Sequence, residues 1–423
     1  MSARRCMVRT VSVRLVMLMV SLVLTTGWVV YGVLAVLGAR RLRFLSDRLA
    51  ADDGASTSNL GSFPPAAPSL SVVVTARDEA AAIEATVRSL LRQRHPALEL
   101  ILVDDRSTDG TGAILDRLAA EAGPGRVQVV HVASLPEGWL GKCHACHVGA
   151  GRARGEWLLF LDADVTIGPE DLLARTVRLA ERRGIDHLPV LPDMRPVGLL
   201  QGALLAVFEQ TLFLHMRFWE MEQDRRRGGS GVGAFNLVRR EAYERVGGHT
   251  RLRLEVAEDY KLGMLLKESG ARQRLLSGLG VIFCPWHRSA LGIVRGLQKN
   301  FFGGTGYSVG KVVLHTLAIL VLQAGPAACL LAGFPWPWLV QQGALLLMLR
   351  STSRRLSRSP LGLWVAYPIA VVLLLYAYWN STIRTLRDGG VRWRDTFYPL
   401  EVLRRGVVRA GDGRRLTRAP ERL

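Results

Sequence analysis

The chain has 423 residues, with 55 Lys and Arg against 36 Asp and Glu and a formal net charge of +19. Hydrophobic residues make up 49% and mean hydropathy is +0.18. This excludes a disordered chain and, because the apolar residues fall in long uncharged runs, a wholly soluble one. The charge points to anionic partners such as phosphates, nucleic acid or acidic lipid headgroups; five cysteines are too few for a disulfide scaffold and suit a reducing compartment.

Leu15 to Ala39 carries no charged residue and is flanked by Arg4, Arg5, Arg9 and Arg14 before it and Arg40, Arg41, Arg43 and Arg48 after it. A helix of this length crosses a hydrocarbon core of roughly 30 Å. It is long for a signal peptide and lacks a small-x-small cleavage site, so an anchor is expected. Asp47 to Pro68 is rich in Ser, Ala, Pro and Gly and is expected to be a linker.

Leu70–Ala76 is a β-branched run of strand length, and Glu79 to Arg94 has helical spacing through Ile83, Val87, Leu90 and Leu91. Leu98–Val103 predicts a second strand ending in Asp104-Asp105, with Thr108 or Asp109 capping a helix to about Ala122. Val127–Val132 predicts a third strand, Lys142 to Ala153 a helix, and Trp157–Leu161 a fourth strand. The alternation implies βαβ units, a mainly parallel sheet and ligands at the carboxyl ends of its strands.

Asp162-Ala-Asp164 leaves the fourth strand. Alternate residues share a side, so two carboxylates can bind one hard divalent cation whose shell diphosphate oxygens complete. Without a cation, their proximity costs Coulomb repulsion. Asp105 can accept hydrogen bonds from a base or ribose, whereas Asp109 has the character of a cap.

Cys143-His-Ala-Cys-His147 has the haem c attachment pattern and zinc-ligand residue types. It lies on an expected helix with no second pair nearby, so packing cysteines are expected. Ala145 and Gly149, four apart, suit close packing there. Leu199 to Trp219 is apolar around Glu209, His215 and Arg217, either an amphipathic segment at a membrane surface or a buried helix. Gly303 to Lys311 departs from the P-loop spacing and ends before Val312, which has no hydroxyl for magnesium. His249, Trp286 and His287 are weaker site candidates.

Val312 to Phe334 and Leu361 to Ile383 predict further spans, the second with Tyr376, Tyr378 and Trp379 placed as an interfacial belt. Trp336 to Leu349 is shorter and interrupted by Gln341 and Gln342, a short span or a re-entrant segment. The tail after Ile383 is Arg-rich, which favours the cytoplasm. If it shares a side with the central domain, an even number of spans separates them. The chain is thus divided into an anchor (1–45), linker (46–68), central domain (69–307), C-terminal transmembrane region (308–386) and basic tail (387–423).

Thr75-Ala-Arg-Asp-Glu79, Asp104-Asp-Arg-Ser-Thr-Asp-Gly-Thr111, Asp162-Ala-Asp164 and Glu258-Asp259 resemble the ordered motifs of family 2 glycosyltransferases with the GT-A fold. Leu135 to Lys142, Gly231 to Tyr243 and Gly247-Gly-His249 strengthen the likeness. The chain resembles the membrane-bound branch containing carotenoid-acid glucosyltransferases and hopanoid-associated glycosyltransferases, over about Ser69 to Tyr307. The resemblance implies a GT-A, Rossmann-like domain between N- and C-terminal transmembrane helices.

It further implies an inverting, multi-pass enzyme of a bacterial cell membrane, its catalytic domain cytoplasmic. Such an enzyme uses Mg²⁺ or Mn²⁺ and moves a sugar from a nucleotide sugar, UDP-linked, to a lipid-like acceptor such as a carotenoid or hopanoid. No nucleic-acid partner is implied. Carried over residue by residue, Ala76, Arg77, Glu79, Asp105, Lys142 and Asp162 match the nucleotide-sugar site. Asp164, with Asp162, matches the metal ligand, and Asp259, beside Glu258, matches the catalytic base. Where many members have Gln-x-x-Arg-Trp, this chain has Gln298-Lys299-Asn300, assigned to the acceptor side. That departure weighs against the alternative of a processive polysaccharide synthase; a haem or metal electron-transfer protein is supported only by the Cys-x-x-Cys-His run.

Overall fold

The computed structural model describes residues 2–54, 68–217, 220–221, 223–224, 227–287 and 289–416. Most of the expected linker, residues 55–67, and the end of the tail, 417–423, lie outside the described residues. The chain forms two compact units. One comprises residues 41–196, 215–288 and 384–423; the other comprises residues 1–40, 197–214 and 289–383.

The first unit is α/β. In chain order it contains β1 (Arg43–Phe44), α1 (Leu45–Gly54), β2 (Leu70–Ala76), α2 (Ile83–Leu91), β3 (Leu98–Asp105), α3 (Thr111–Ala122) and β4 (Val127–Val132). Next come α4 (Gly141–Arg152), β5 (Trp157–Asp162), β6 (Thr166–Ile167), α5 (Leu172–Arg182), β7 (His187–Asp193) and β8 (Asn236–Arg239). The unit continues with α6 (Arg240–Arg245), α7 (Glu258–Glu268), β9 (Leu276–Phe283), β10 (Gly390–Trp393), β11 (Thr396–Pro399), α8 (Leu400–Arg405) and α9 (Asp412–Leu416). Where a linker was expected, Asp47 to Gly54 belongs to α1, whose Leu45 and Leu49 are buried. Their spacing of four places them on one helix face.

The sheet order is β1-β9-β7-β8-β5-β2-β3-β4, with β6 beside β9. β2 pairs in parallel with β3 and β5, and β3 with β4. β8 runs antiparallel to both neighbours, β5 and β7. The sheet is therefore mixed but mainly parallel, and covered on both faces. Val72 and Val74 of β2 pack with Val87 of α2 and Leu115 of α3, while Val73 packs on the other face with Ala145 and Cys146 of α4 and Leu262 of α7. Burial on both faces is why β2 is apolar almost throughout. A side chain on Gly149 would strike Val73 and Val103, so glycine there lets α4 lie close on the sheet.

The second unit is helical. Val13–Arg41, Val309–Leu331 and Pro360–Arg387 are long and apolar enough to cross a membrane. Trp336–Leu356 is a helix of 21 residues, longer than the apolar stretch, and its last turns carry Arg350, Arg354 and Arg355. Leu199–His215 is an apolar helix. Within this unit Trp28 Nε1 donates to the Leu322 carbonyl at 2.8 Å and Arg355 Nη2 meets Glu209 Oε2 at 3.0 Å, both side chains nearly buried. Large apolar side chains such as Val23, Leu314, Val365 and Val372 face outward, as a bilayer-embedded surface requires.

Candidate active site

The site lies at the carboxyl ends of β2, β3 and β5. The buried Trp-Leu-Leu-Phe-Leu run of β5 carries Asp162 to the sheet edge, opposite Thr75 of β2. Lys142, second residue of α4, reaches across with its Nζ 2.7 Å from Asp162 Oδ1 and 2.8 Å from Glu258 Oε1. Burial opposes the charge on Lys142, but Asp162, Glu258 and Asp259 outweigh it and hold the ammonium pKa well above its ordinary value. Glu258 is 4% exposed; burial pushes its carboxyl up, against the pull of Lys142.

Asp259 opens α7. Its Oδ2 accepts from the Gly233 N–H at 2.7 Å and its Oδ1 from the Tyr260 N–H at 2.7 Å. Gly233 is the floor of this arrangement. A Cβ there would lie 2.8 Å from Asp162 Oδ2, 3.1 Å from Asp259 Oδ2 and 3.3 Å from Lys142 Nζ. Gly231, two residues earlier, would strike the Asp259 carbonyl if it bore a side chain. The Gly-Val-Gly spacing carried this signal, but no role followed from sequence alone.

Asp164 follows the turn after β5, and Cys284 Sγ approaches its Oδ1 at 3.8 Å. Burial, then the Asp162 and Glu79 carboxylates, pushes its pKa up to about 6. Burial is the larger cause and the anticipated carboxylate repulsion the smaller one, and oxygen donors of this kind fit a hard divalent cation. Among the described residues no group of three or more candidate ligands could hold an ion. A cation at Asp162 and Asp164 would therefore draw on oxygens from outside the protein.

Two loops beside this cluster form the nucleotide-side candidates. Ala76 ends β2 and is buried. Arg77 Nη1 stands 3.9 Å from Asp105 Oδ2, and Arg106 holds Asp105 through Nε at 2.8 Å and Nη2 at 3.1 Å. Asp78 and Arg106 adopt φ of 53° and 59°, left-handed conformations that non-glycine residues adopt where a surrounding network enforces them. Asp78 Oδ1 accepts from the Thr108 N–H at 2.8 Å, and Asp109 accepts from the N–H groups of Ala80 and Thr111, each at 3.0 Å. Asp109 thus stitches the loops together; the N-cap of α3 is Gly110, in a left-handed conformation and without a side-chain cap, where Thr108 or Asp109 was expected. A side chain on Gly141 would collide with the Asp105 carboxylate, which explains glycine before Lys142.

The Cys-x-x-Cys-His run separates by helix face. Cys143 and Cys146 are buried, and burial pushes both thiols up, so they stay protonated. His144 and His147 pack instead on the Trp139 ring, at 5.5 and 5.0 Å between centroids. His249 is buried against Tyr243, their Nδ1 and hydroxyl 2.9 Å apart, and burial lowers its pKa to about 3. Trp286 and His287 stack tilted at 5.1 Å. Gln298, Lys299 and Asn300 belong to the helical unit, where the Gln298 carbonyl accepts from Ser381.

Residues that sequence reasoning did not assign come from the tail. Arg394 Nη2 donates to Glu79 Oε1 at 2.7 Å, Asp395 Oδ2 accepts from Arg77 Nη2 at 2.8 Å, and the Tyr398 hydroxyl accepts from the Gly141 N–H at 3.3 Å.

Residues 71–247 match the family described as Glycosyl transferase family 2. The chain carries a family 2 glycosyltransferase domain. The match ends before Glu258 and Asp259. This glycosyltransferase is 24% identical over 342 residues to a 4,4'-diaponeurosporenoate glycosyltransferase of Staphylococcus aureus (strain bovine RF122 / ET3-1), covering 78% of this chain and 88% of that one. The same figures relate it to the protein of that name in strain USA300. Among solved structures it is similar in fold to the mannosyltransferase PcManGT of Pyrobaculum calidifontis, in complex with GDP-Man and Mn2+, at 20% identity and a TM-score of 0.50, covering 88% of this chain and 99% of that one.

Proposed function

We propose that the enzyme inverts configuration while moving a hexose from a UDP-linked donor to a lipid-like acceptor, a carotenoid acid or a related membrane lipid. The observation that carries this reading is the Lys142–Asp162–Glu258 ion network beside Asp259 at the strand ends. Asp105 and Arg77 take the base and ribose side, with Ala76 and Glu79 lining it. Lys142 offers positive charge to the diphosphate as it leaves. Asp259, held by the Gly233 N–H, takes the acceptor proton on the far side of the sugar. Asp162 and Asp164 would hold Mg²⁺ or Mn²⁺, which supplies charge stabilisation to the leaving diphosphate when bound. Gln298, Lys299 and Asn300 are assigned to the acceptor.

Three apolar helices of spanning length and the relatives named for a carotenoid acid support a membrane acceptor. The tail packs in one unit with the catalytic elements, so both lie on one side of a membrane. Two helices long and apolar enough to cross, Val309–Leu331 and Pro360–Arg387, lie between them, an even number that supports this reading. The Arg-rich tail favours the cytoplasm of a bacterial cell.

The test incubates the full chain in detergent with UDP- and GDP-hexoses and with lipid acids and lipid alcohols, products read by mass spectrometry. Sugar transferred to a lipid, lost in excess EDTA and in Asp164→Asn, is expected. No transfer to any lipid, or full transfer in EDTA, would overturn the reading.

A further inference from the structure

The basic tail is an ordered part of the catalytic unit. Residues 390–399 form the two-stranded β10–β11 hairpin, with Trp393 opposite Thr396 and Arg394-Asp395 at the turn. Both turn residues place their charges on the segment after β2. Arg394 meets Glu79 at 2.7 Å, and Asp395 meets Arg77 at 2.8 Å. Further along β11, Tyr398 is 7% exposed, and its hydroxyl meets the first N–H of α4, one residue before Lys142. Three residues of one hairpin thus touch the loop after β2 and the start of α4, beside the nucleotide candidates.

One further observation points to a ligand. Arg77 Nε is buried without a hydrogen-bond partner, the Asp78 carboxylate standing off at 4.0 Å, although Asp395 holds another nitrogen of the same guanidinium. A buried, unpaired donor is costly unless something arrives to meet it. In addition, Arg394 occupies the hairpin turn at φ 54°, a position where Gly or Asn is favoured. An arginine kept in that conformation directs its guanidinium onto Glu79.

The segment that follows the hairpin is tied to α7 and to the residues just before it. The Val408 N–H donates to Glu255 Oε2 at 3.0 Å, and its carbonyl accepts from Lys261 of α7. Glu268, at the other end of α7, accepts from the N–H groups of Gly411 and Gly413 at 2.8 and 3.1 Å. Leu403 between them is fully buried.

The geometry points to the β10–β11 hairpin as the third wall of the nucleotide site, with Arg394, Asp395 and Tyr398 as donor-positioning residues. Asp395 and Asp78 flank the Arg77 guanidinium, and its Nε–H, which makes no hydrogen bond, is left for the nucleoside or phosphate oxygens. Arg394 neutralises Glu79, which would otherwise repel the diphosphate. Tyr398 orients the start of α4 and with it Lys142. This assignment rests on the proposed use of a nucleotide-sugar donor.

The experiment measures binding of UDP and of GDP, with Mn²⁺, to the full chain in detergent by calorimetry. It compares wild type, R394A/D395A, R394K/D395E and Tyr398→Phe. The alanine pair is expected to raise Kd at least tenfold, the conservative pair to recover most of the affinity, and Tyr398→Phe to weaken binding severalfold. In turnover, KM for the donor rises while KM for the acceptor stays. Should the alanine pair fail to fold by thermal melt, R394K/D395E and Tyr398→Phe decide. Wild-type affinity in the alanine pair, or in Tyr398→Phe where that pair is unfolded, overturns the assignment. So does tighter binding, which would make the turn a plug. A wild type that binds neither nucleotide overturns the donor reading itself.

Discussion

Lys142 Nζ lies 2.8 Å from Glu258 Oε1, so a lysine assigned to the diphosphate also neutralises the buried residue beside the proposed base. The two roles predict a separable outcome. Lys142→Ala should lower activity at least a hundredfold and also lower the melting temperature, because it leaves Glu258 buried without its cation, a loss of about 3–5 kcal/mol for such pairs. Lys142→Ala with Glu258→Gln should regain much of the melting temperature without regaining turnover. Recovery of both together would leave Lys142 with a structural role only.

Gly233→Ala offers a finer probe. Its Cβ would sit 2.8 Å from Asp162 Oδ2 and 3.1 Å from Asp259 Oδ2, forcing those carboxylates apart. A misplacement of about 1 Å is enough to cost on the order of 10²-fold in rate. The expected result is a folded protein with kcat reduced by that order and donor binding changed far less. Unchanged kcat would remove Gly233 as the floor of the site.

Asp259→Asn separates acceptor types. A hydroxyl acceptor keeps its proton at neutral pH, so loss of the base should cost roughly 10²- to 10⁴-fold. A carboxylic-acid acceptor ionises near pH 4–5, by analogy with about 4 for side-chain carboxyls, and has no proton to give up. Rates on both acceptors, with folding checked by thermal melt, decide. Equal, full rates would reduce Asp259 to a helix-start residue bonded to Tyr260.

His131 supplies a pH dependence away from the chemistry. Hydrogen bonds to Asp104 and then Asp116, each at 3.0 Å, raise its pKa above 6.5. A raised folded-state value means that its stabilisation is complete below the unfolded pKa and fades as pH climbs through the folded one. The difference in melting temperature between wild type and His131→Gln should therefore be largest in mild acid and shrink as the pH rises above the ordinary histidine value. A difference that grows with pH would contradict the ion pairs. About half the His131 side chain is exposed, so solvent screening keeps the effect small.

The first half of the α/β unit was legible because its central strands β2 and β5 are almost wholly buried and bounded by turns: Leu70–Ala76 and Trp157–Leu161 appear in the structure within a residue of their expected ends. The strands beyond Asp164 were not legible. β7 carries Pro189 and Pro192, tolerated because one sits where pairing with β8 ends and the other at a register break beside β9. β8 has only four residues, too few to show periodicity. Asp162, Lys142 and Asp259 were found through motifs, whereas Gly233 needed the backbone approach to be seen. Arg394 is 315 positions from Glu79, and no local pattern connects residues so distant.

Because the α/β unit is built from residues on both sides of the helical segment 289–383, it cannot be excised as one continuous stretch of chain. Synthesis must pass through the long apolar helices of that segment before β10, β11, α8 and α9 emerge. At about 5–20 residues per second the nascent catalytic sheet waits several seconds for its last wall. On the proposed membrane location, an enzyme made in this order would become complete only after its own insertion, tying the birth of the proposed donor site to arrival at the membrane.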